Sequence, residues 1–433
     1  MKDYYKVHCG RLRSNGLRFY TQYDRSDSRE LALIVVMVGS IHDPPNRRGL
    51  SHLTEHVICA ESKAHTAQQV ESIMARTLGS ESALITTSKT VTTYGPADLL
   101  KKSHNRKLFN VFANMIKDPV ISKEVCDSEK ASINQEHFLM SHDVIGERIS
   151  ELLNEYMFPK YLSARNPIDG RMSEVRCSSI KDIEQHIKRY YIPRNSFVVY
   201  LGPNHLKAKE IIKDELGDWS NTSSRRPNFR NRFRVSFHRL KQSKKKTITQ
   251  SGIHQYHVAT GFPTEHYLSN DSEALDILAN ILSVRMYKKL RIENRSWSKG
   301  SYALPVMTER SFLHGLLFFQ FATLDKNFMK HSIKTFHKEC NYLCENLITR
   351  AEAEDWIGYM YDYQFMDYFK KCPSGLADMI IDNVSNGDLS LDKLHNRGDK
   401  LLSYLKRGGR SRLREIAQKY FYKKSACIIV KPS

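Results

Sequence analysis

The chain repeats one order of predicted elements in its two halves. The first half opens with an apolar run at residues 31–39, whose composition predicts a fully buried strand. A loop that carries Pro44 and Pro45 follows, and the sequence then predicts a helix from residue 49 to about residue 61. This half ends with a predicted strand at residues 196–202.

The second half repeats this order with different residues. A predicted strand at residues 254–261 is followed by a loop with Pro263 and a predicted helix at residues 272–291. The chain closes with a predicted helix near residues 412–422 and a predicted strand at residues 426–431. The repeat predicts two related domains in tandem, and the mixture of strands with long helices predicts sheets that helices cover on one face.

A basic segment lies between the two halves. Residues 225–246 contain ten Lys or Arg and no Asp or Glu, so they carry half of the net charge of +20. The polar, irregular stretch around them predicts a linker at residues 219–248, between an N-terminal domain at 1–218 and a C-terminal domain at 249–433. A solvated linker is one interpretation, and a contact for nucleic acid or an acidic partner is the other. Nucleic acid is not the expected partner, because the sequence contains no zinc finger or RRM signature.

The composition is that of a globular protein, with 40% hydrophobic and 26% charged residues. The longest clean apolar run is less than half of what a bilayer crossing needs. No apolar signal core follows the N-terminus, so we expect a cytoplasmic protein without a membrane contact. The eight cysteines are spread along the chain without a CxxC pair, which predicts reduced thiols.

The sharpest motif is His52-Leu53-Thr54-Glu55-His56, within the first predicted helix. Residues four apart share a helix face, so His52 and His56 can offer two imidazoles to one zinc ion. Glu55 projects to the same side, where a carboxylate can take a proton from a water activated by the metal. The competing interpretation is a surface helix with two solvated histidines. The loop residues His42 and Asp43 are expected to be solvated.

A catalytic zinc site usually has three protein ligands, so a third must come from elsewhere in the chain. Glu129 and Glu136 are seven residues apart, two helical turns, within a stretch that predicts one or two long helices between residues 122 and 156. One of them can bind the metal while the other accepts a hydrogen bond from a ligand histidine. A solvated helix face is the alternative for such a pair.

The inverted zinc motif H-x-x-E-H resembles that of the pitrilysin family, the M16 metallopeptidases. Further segments resemble family motifs over essentially the whole chain: Asn15-Gly16-Leu17-Arg18, Val38-Gly39-Ser40, Arg48-Gly49-Leu50-Ser51, Tyr190-Tyr191-Ile192-Pro193-Arg194-Asn195 and Arg285-Met286-Tyr287-Lys288-Lys289-Leu290-Arg291.

The resemblance implies an α+β fold of two homologous domains, each a mainly antiparallel sheet covered by helices on one face. It places the chain in the short branch, similar to mitochondrial processing peptidase subunits and bacterial M16B peptidases. In that branch two chains, identical or different, form a clamshell that hydrolyses peptides or unfolded segments. The resemblance further implies one Zn²⁺ per chain, Glu136 as third ligand, Glu129 as its supporting residue, Glu55 as general base, and Arg291 as a substrate contact that acts on the partner's site.

Two positions depart from the family pattern. The stretch Ser82-Ala83-Leu84-Ile85-Thr86-Thr87 corresponds to the family's "NAxT" strand edge and lacks its Asn. The residue seven after Arg291 is Ser298 in place of a Tyr, with Trp297 and Tyr302 nearby. Both family residues contact the substrate. The departures therefore keep open a second hypothesis, in which the chain is a catalytically weak or inactive partner or scaffold subunit.

Overall fold

A computed structural model describes residues 6–23, 28–79, 83–143, 145–159, 166–203, 205–222, 240–293, 305–310, 314–370, 372–422 and 424–433. The strands are β1 (His8–Arg11), β2 (Arg18–Tyr23), β3 (Leu31–Val36), β4 (Thr86–Thr87), β5 (Thr92–Tyr94), β6 (Ser196–Gly202), β7 (Lys244–Gln250), β8 (Tyr256–Thr264), β9 (Val306–Arg310), β10 (Gly315–Thr323) and β11 (Ala426–Pro432).

The α-helices are α1 (Leu50–Ala60), α2 (Ala67–Leu78), α3 (Lys102–Lys117), α4 (Lys123–Asp143), α5 (Ile145–Met157), α6 (Met172–Arg176), α7 (Ile180–Tyr190), α8 (His205–Leu216), α9 (Ser272–Tyr287), α10 (Lys326–Glu345), α11 (Arg350–Tyr361), α12 (Asp367–Lys370), α13 (Pro373–Asn386), α14 (Asp392–Ser403) and α15 (Gly409–Phe421). Two π-helical turns, Lys288–Ile292 and Asp362–Met366, continue α9 and α11. None of the helices among the described residues is both long and apolar enough to cross a bilayer.

The two sheets have the same connectivity. The first runs β1-β2-β6-β3-β5-β4 and the second runs β7-β11-β8-β10-β9, so the second reproduces the first without β1. Each sheet has one parallel pair, β2 with β6 and β7 with β11, and its other pairs are antiparallel. The α+β fold of two mainly antiparallel sheets with helices, expected from the sequence, is confirmed.

The predicted linker differs from the structure at both ends. Trp219 is 5% exposed and belongs to the core of the first sheet. Residues 244–248 lie in β7, an edge strand whose lysines remain largely exposed while its backbone pairs with β11. Charged side chains are common on edge strands, because one strand side has no neighbour in the sheet. Residues 223–239, which hold most of the basic segment, lie outside the described residues.

The chain forms two compact units that exchange helices. The first unit contains residues 1–137, 166–229 and 367–395, and the second contains residues 138–165, 230–366 and 396–433. Helix α5 therefore packs on β8, β10 and β11 of the second unit, and α13 packs on β3 and β6 of the first. A division into consecutive segments misses this exchange, because helical periodicity does not say which sheet a helix covers.

Strand β3 is buried on both of its faces. All six of its residues are buried, and successive side chains of a strand point to opposite faces. Helix α3 packs against β3 on the face where Ala32, Ile34 and Val36 join the main core cluster. Leu33 and Val35 point to the opposite face and are buried as well, and α13 is a second helix that contacts β3.

The second unit contains a largely buried ion pair between α9 and β9, in which the Arg310 side chain is 7% exposed and that of Asp276 is 20% exposed. Asp276 accepts a hydrogen bond from the Thr308 hydroxyl, at 2.6 Å, and pairs with the Arg310 guanidinium. Burial favours the protonated form of Asp276, but the charges of Arg310 and Arg397 outweigh it and hold the pKa of this carboxyl below its usual value. The carboxylate therefore joins helix and sheet in its charged form.

We expect Asp276→Ala to lower the free energy of unfolding by about 3–5 kcal/mol, because it leaves the Arg310 charge buried without its partner. A lowered pKa in the folded state stabilises the protein above the unfolded pKa, so the difference between wild type and variant should shrink as the pH falls below about 4, towards the lowered pKa of the folded state. Urea unfolding at pH 7 and at low pH measures both effects.

The double variant Asp276→Leu/Arg310→Met serves as the control, since replacing both partners with apolar groups costs much less than removing one. A single variant that unfolds at the same urea concentration as wild type would contradict a structural role for this pair.

Candidate metal centre

Helices α1 and α4 bring the motif residues together within the first unit. Leu53 and Val57 on α1 and Cys126 and Ile133 on α4 belong to one buried apolar cluster, the seam, which also includes Val175 on α6 and Ile183 on α7. Residues 126, 129, 133 and 136 follow at helical spacing, so one face of α4 carries both the apolar contacts and the two glutamates. The packing thereby turns the glutamates of α4 towards the histidines of α1.

Three donor groups converge between these helices. One nitrogen each of His52 and His56 and a carboxylate oxygen of Glu136 all lie within 4.8 Å of one another. Glu136 Oε2 is 3.8 Å from His52 Nε2 and 3.6 Å from His56 Nε2. Ligand atoms around tetrahedral zinc at 2.0–2.1 Å are about 3.3 Å apart. The two histidine–glutamate distances are a few tenths of an ångström longer than this, and the two histidine nitrogens, within 4.8 Å of each other, approach further when they share the ion. The donor set fits zinc.

Glu129 contacts His56 on the side of the ring opposite to the nitrogen that faces the other metal-binding residues. Its Oε2 is 3.0 Å from His56 Nδ1, which donates to it and leaves Nε2 facing His52 and Glu136. A carboxylate behind a ligand histidine fixes the ring and its tautomer. His52 Nδ1 differs, since it is buried and has no hydrogen-bond partner among the described residues.

Glu55 occupies the buried end of the cluster and is only 5% exposed. Its Oε2 accepts a hydrogen bond of 2.6 Å from the Thr87 hydroxyl, on the edge strand β4. The carboxylate is therefore buried and held in one direction, close enough to His56 and Glu136 for their charges to act on it.

The electrostatics of the cluster suit a divalent cation, since Glu55, Glu129 and Glu136 surround two imidazoles. Burial lowers the pKa of His52 to about 4, so this ring is neutral and able to bind a metal at pH 7. Burial also lowers the pKa of His56, but the hydrogen bond to Glu129 and the nearby carboxylates outweigh it and raise the pKa above its usual value. Burial raises the pKa of Glu55, opposed by the Thr87 hydrogen bond.

The start of α1 depends on Asp43, for which the sequence predicted a solvated position. That prediction is wrong, since Asp43 is 3% exposed and His42 is 9% exposed. Gly49 precedes the helix with φ +93° and supplies no capping side chain. Asp43 Oδ2 instead accepts from Gly49 N at 2.7 Å, and Oδ1 accepts from Ser51 N at 2.9 Å. The carboxylate thus caps the helix that carries the motif, from the loop that precedes this helix.

Ser51 extends this cap into the core. Its hydroxyl lies 2.6 Å from Asp43 Oδ1 and 3.2 Å from Nε2 of the buried His186 on α7. Burial raises the pKa of Asp43 to about 7, against the opposing hydrogen bonds from Ser51 and Gly49. Asp43 lies eight residues before Ser51, a spacing that helical periodicity does not single out. Only a sequence pattern for the capping of a helix by the preceding loop would have predicted this contact.

Arg291 belongs to the second unit, where it lies in the π-helical turn Lys288–Ile292 and is partly exposed. Its predicted role in substrate binding stays a prediction. The positions discussed for the family's Asn and Tyr, namely Ser82, Trp297, Ser298 and Tyr302, lie outside the described residues.

Comparison with known proteins agrees with this geometry. Residues 18–161, which include all five residues of the cluster, match the model of the insulinase family, peptidase family M16. This region is similar to peptidase family M16. The resemblance stated from the sequence motifs is therefore confirmed.

The relatives of this chain share only a low sequence identity with it. The zinc protease PqqE of Helicobacter pylori is 23% identical over 267 residues, which are 58% of this chain and 54% of that protein. The chain thus covers about half of the length of this relative. A solved structure of a protease from Helicobacter pylori has a TM-score of 0.84 at 19% identity, over 99% of both chains.

The periplasmic protease PqqL of Escherichia coli shows the same fold. Its structure gives a TM-score of 0.76 at 16% identity and covers 98% of this chain but only 47% of PqqL. These likenesses establish that the M16 fold extends over the whole chain.

We expect Glu129→Gln to weaken zinc binding by about 10- to 100-fold, because a neutral amide supports the His56 imidazole less well than a carboxylate. Competition with a chromogenic chelator measures the affinity. Glu124→Gln is the matched control, since Glu124 is exposed on the same helix. Equal affinities of the two variants would contradict a supporting role for Glu129.

We expect Asp43→Ala to lower the free energy of unfolding of the metal-free protein by about 2–4 kcal/mol, because it removes the cap of α1 and leaves buried donors unpaired. Denaturation in the presence of a chelator measures this without a contribution from metal binding. Asp43→Asn, which keeps one acceptor oxygen, should lose less. A stability of Asp43→Ala equal to that of wild type would show that the cap does not hold the helix.

Proposed function

We propose that the chain is a zinc-dependent endopeptidase that hydrolyses peptides or unfolded polypeptide segments. The observation that carries the proposal is the convergence of His52, His56 and Glu136 beside the buried carboxylate of Glu55. Three ligands with an adjacent carboxylate form the usual composition of a hydrolytic zinc site. The names of relatives as zinc proteases support the same reaction class.

In this proposal His52, His56 and Glu136 hold one zinc ion per chain, and Glu129 orients His56. The ion, when bound, supplies Lewis-acid chemistry that activates water and polarises the scissile carbonyl. Glu55 takes a proton from the attacking water on its carboxylate and passes it to the amine that leaves. Burial of Glu55 suits this role, since it brings the pKa of the carboxyl upward, closer to the pH of the reaction.

A second homologous chain completes the proposed enzyme. The structural match covers 98% of this chain but only 47% of PqqL, so this chain corresponds in size to about half of that protein. We propose a homodimer, or a heterodimer with another M16-like chain, in which Arg291 of one chain contacts a peptide held at the partner's zinc. A cytoplasmic location stays a prediction from the sequence.

The alternative function is an M16-like partner or scaffold without catalysis. The departures at Ser82 and Ser298 favour it, since they replace the family's substrate contacts. The complete set of ligands, base and supporting carboxylate favours the enzyme, because a scaffold has no use for a buried carboxylate beside three metal donors.

We expect the wild-type protein to cleave members of a mixed peptide library and to contain about one zinc per chain. Glu55→Gln should retain zinc and lose cleavage by at least about 1,000-fold, since the amide accepts no proton from water. Mass spectrometry of the products and metal analysis of the same preparations measure both quantities.

Removal of zinc by a chelator, followed by restoration with Zn²⁺, is the control for metal dependence. Zinc without any cleavage would favour the scaffold or a missing partner, and neither zinc nor cleavage would reject the proposed site.

A mixing experiment tests whether Arg291 acts on the partner. In a homodimer, Glu55→Gln and Arg291→Ala are each inactive alone, but their mixed dimer combines one intact zinc site with one intact Arg291. Random reassociation of equal amounts should restore about a quarter of the wild-type activity, since half of the dimers are mixed and each has one working site. No recovery, despite dimers verified by mass spectrometry, would contradict action on the partner.

A further inference from the structure

The hydroxyl of Thr87 contacts the carboxylate of Glu55, the proposed general base. We infer that Thr87 is a positioning residue for Glu55, one that fixes the carboxylate in the direction that proton transfer requires. The inference rests on the proposed function, and it assigns a role to the edge strand β4 beyond any contact with a peptide.

The contact with Glu55 is short and buried. Thr87 Oγ1 donates to Glu55 Oε2 at 2.6 Å, and Thr87 is 5% exposed. A hydrogen bond to a charged group is roughly twice as strong as one between neutral groups. This contact therefore holds a side chain that would otherwise rotate about its terminal bond.

Thr87 is itself held by the neighbouring strand. It is the direct pairing partner of Thr92 on β5, and the two hydroxyl oxygens are 3.2 Å apart. Thr92 donates its own proton to the Val38 carbonyl at 2.9 Å, so it presents only lone pairs to Thr87. The Thr87 hydroxyl thus has an acceptor on either side, Glu55 and Thr92, for its single proton.

The support continues into the core. Tyr94, on β5 two residues after Thr92, forms a hydrogen bond of 2.8 Å with the hydroxyl of Tyr191, which directly follows α7. Thr92, Tyr94 and Tyr191 are all buried. Buried hydrogen-bonded groups resist movement, because each would lose a bond. Thr87 is therefore tied through Thr92 to the Val38 carbonyl just after β3, on a strand that the bond between Tyr94 and Tyr191 also holds.

This arrangement matters for the reaction because Glu55 must first accept and then release a proton. While Glu55 is a carboxylate, Thr87 donates to it. After Glu55 takes the proton of water on its other oxygen, Oε1, its Oε2 still accepts the hydrogen bond from Thr87, and Oε1 can pass the proton to the leaving amine. The position of the base stays the same through both steps of proton transfer.

The test is Thr87→Val, which replaces the hydroxyl with a methyl group of nearly the same size, compared with Thr87→Ser, which keeps the hydroxyl. We expect kcat for peptide cleavage to fall by about 10- to 100-fold in Thr87→Val, the effect of losing one hydrogen bond to a charged group, with KM within about twofold of wild type. Thr87→Ser should recover most of the activity. Zinc affinity should be unchanged in both variants.

Thr93→Val is the matched control. Thr93 is buried at the next position of β5, and its side chain points to the other face of the strand from Thr92. This variant should keep wild-type kcat, which separates the loss of the Thr87 hydroxyl from a general disturbance of the hairpin.

Three outcomes overturn the inference: a kcat of Thr87→Val within twofold of wild type, a rise in KM alone, or a loss of zinc, which would make Thr87 a support of the metal ligands. A Thr87→Val that fails to fold leaves Thr87→Ser to decide, since a loss of kcat despite the retained hydroxyl also overturns it. Absence of zinc-dependent cleavage by the wild type rejects the proposed function and this inference with it. Wild-type cleavage with an unaffected Thr87→Val rejects the inference alone.

Discussion

The capping of α1 by Asp43 is the constraint on which the metal centre depends. The helix must begin at a defined residue, because a shift by one position would turn His52 and His56 about 100° away from α4. Gly49 supplies the turn but no side chain, so the buried carboxylate of a preceding loop satisfies the first backbone donors. The start of the helix, its rotation and the direction of both imidazoles follow from this contact.

The seam between α1 and α4 then sets the distance between the donors. Apolar residues on both helices alternate with the metal-binding ones, so the same packing that buries Leu53 and Ile133 places Glu136 opposite the two histidines. A site built on rigid helices keeps its ligand geometry better than one built on loops. The ligand geometry of the metal centre therefore depends on the stability of the apolar core beneath it.

The two units use one sheet topology for different purposes. In the first, a threonine of β4 donates to Glu55 on α1, and in the second, Thr308 of β9 donates to Asp276 on α9, each at 2.6 Å. Strands β4 and β9 hold equivalent places in their sheets. In the second unit the Arg310 guanidinium meets the carboxylate, so an internal cation neutralises it. At equivalent places of the two sheets, the first unit thus has a candidate reaction centre and the second unit has a structural ion pair.

The sequence by itself determined the motif helix, the pairing of Glu129 with Glu136 and the tandem order of strands and helices, because each follows from the fixed periods of 3.6 and 2 residues. The predicted helices between residues 122 and 156 are confirmed as α4 and α5. Only the tertiary structure decided the burial of Asp43, the contact of Thr87 with Glu55, and the exchange of α5 and α13 between units. These features join residues from 6 to hundreds of positions apart, and such contacts depend on how whole elements pack, which local spacing does not encode.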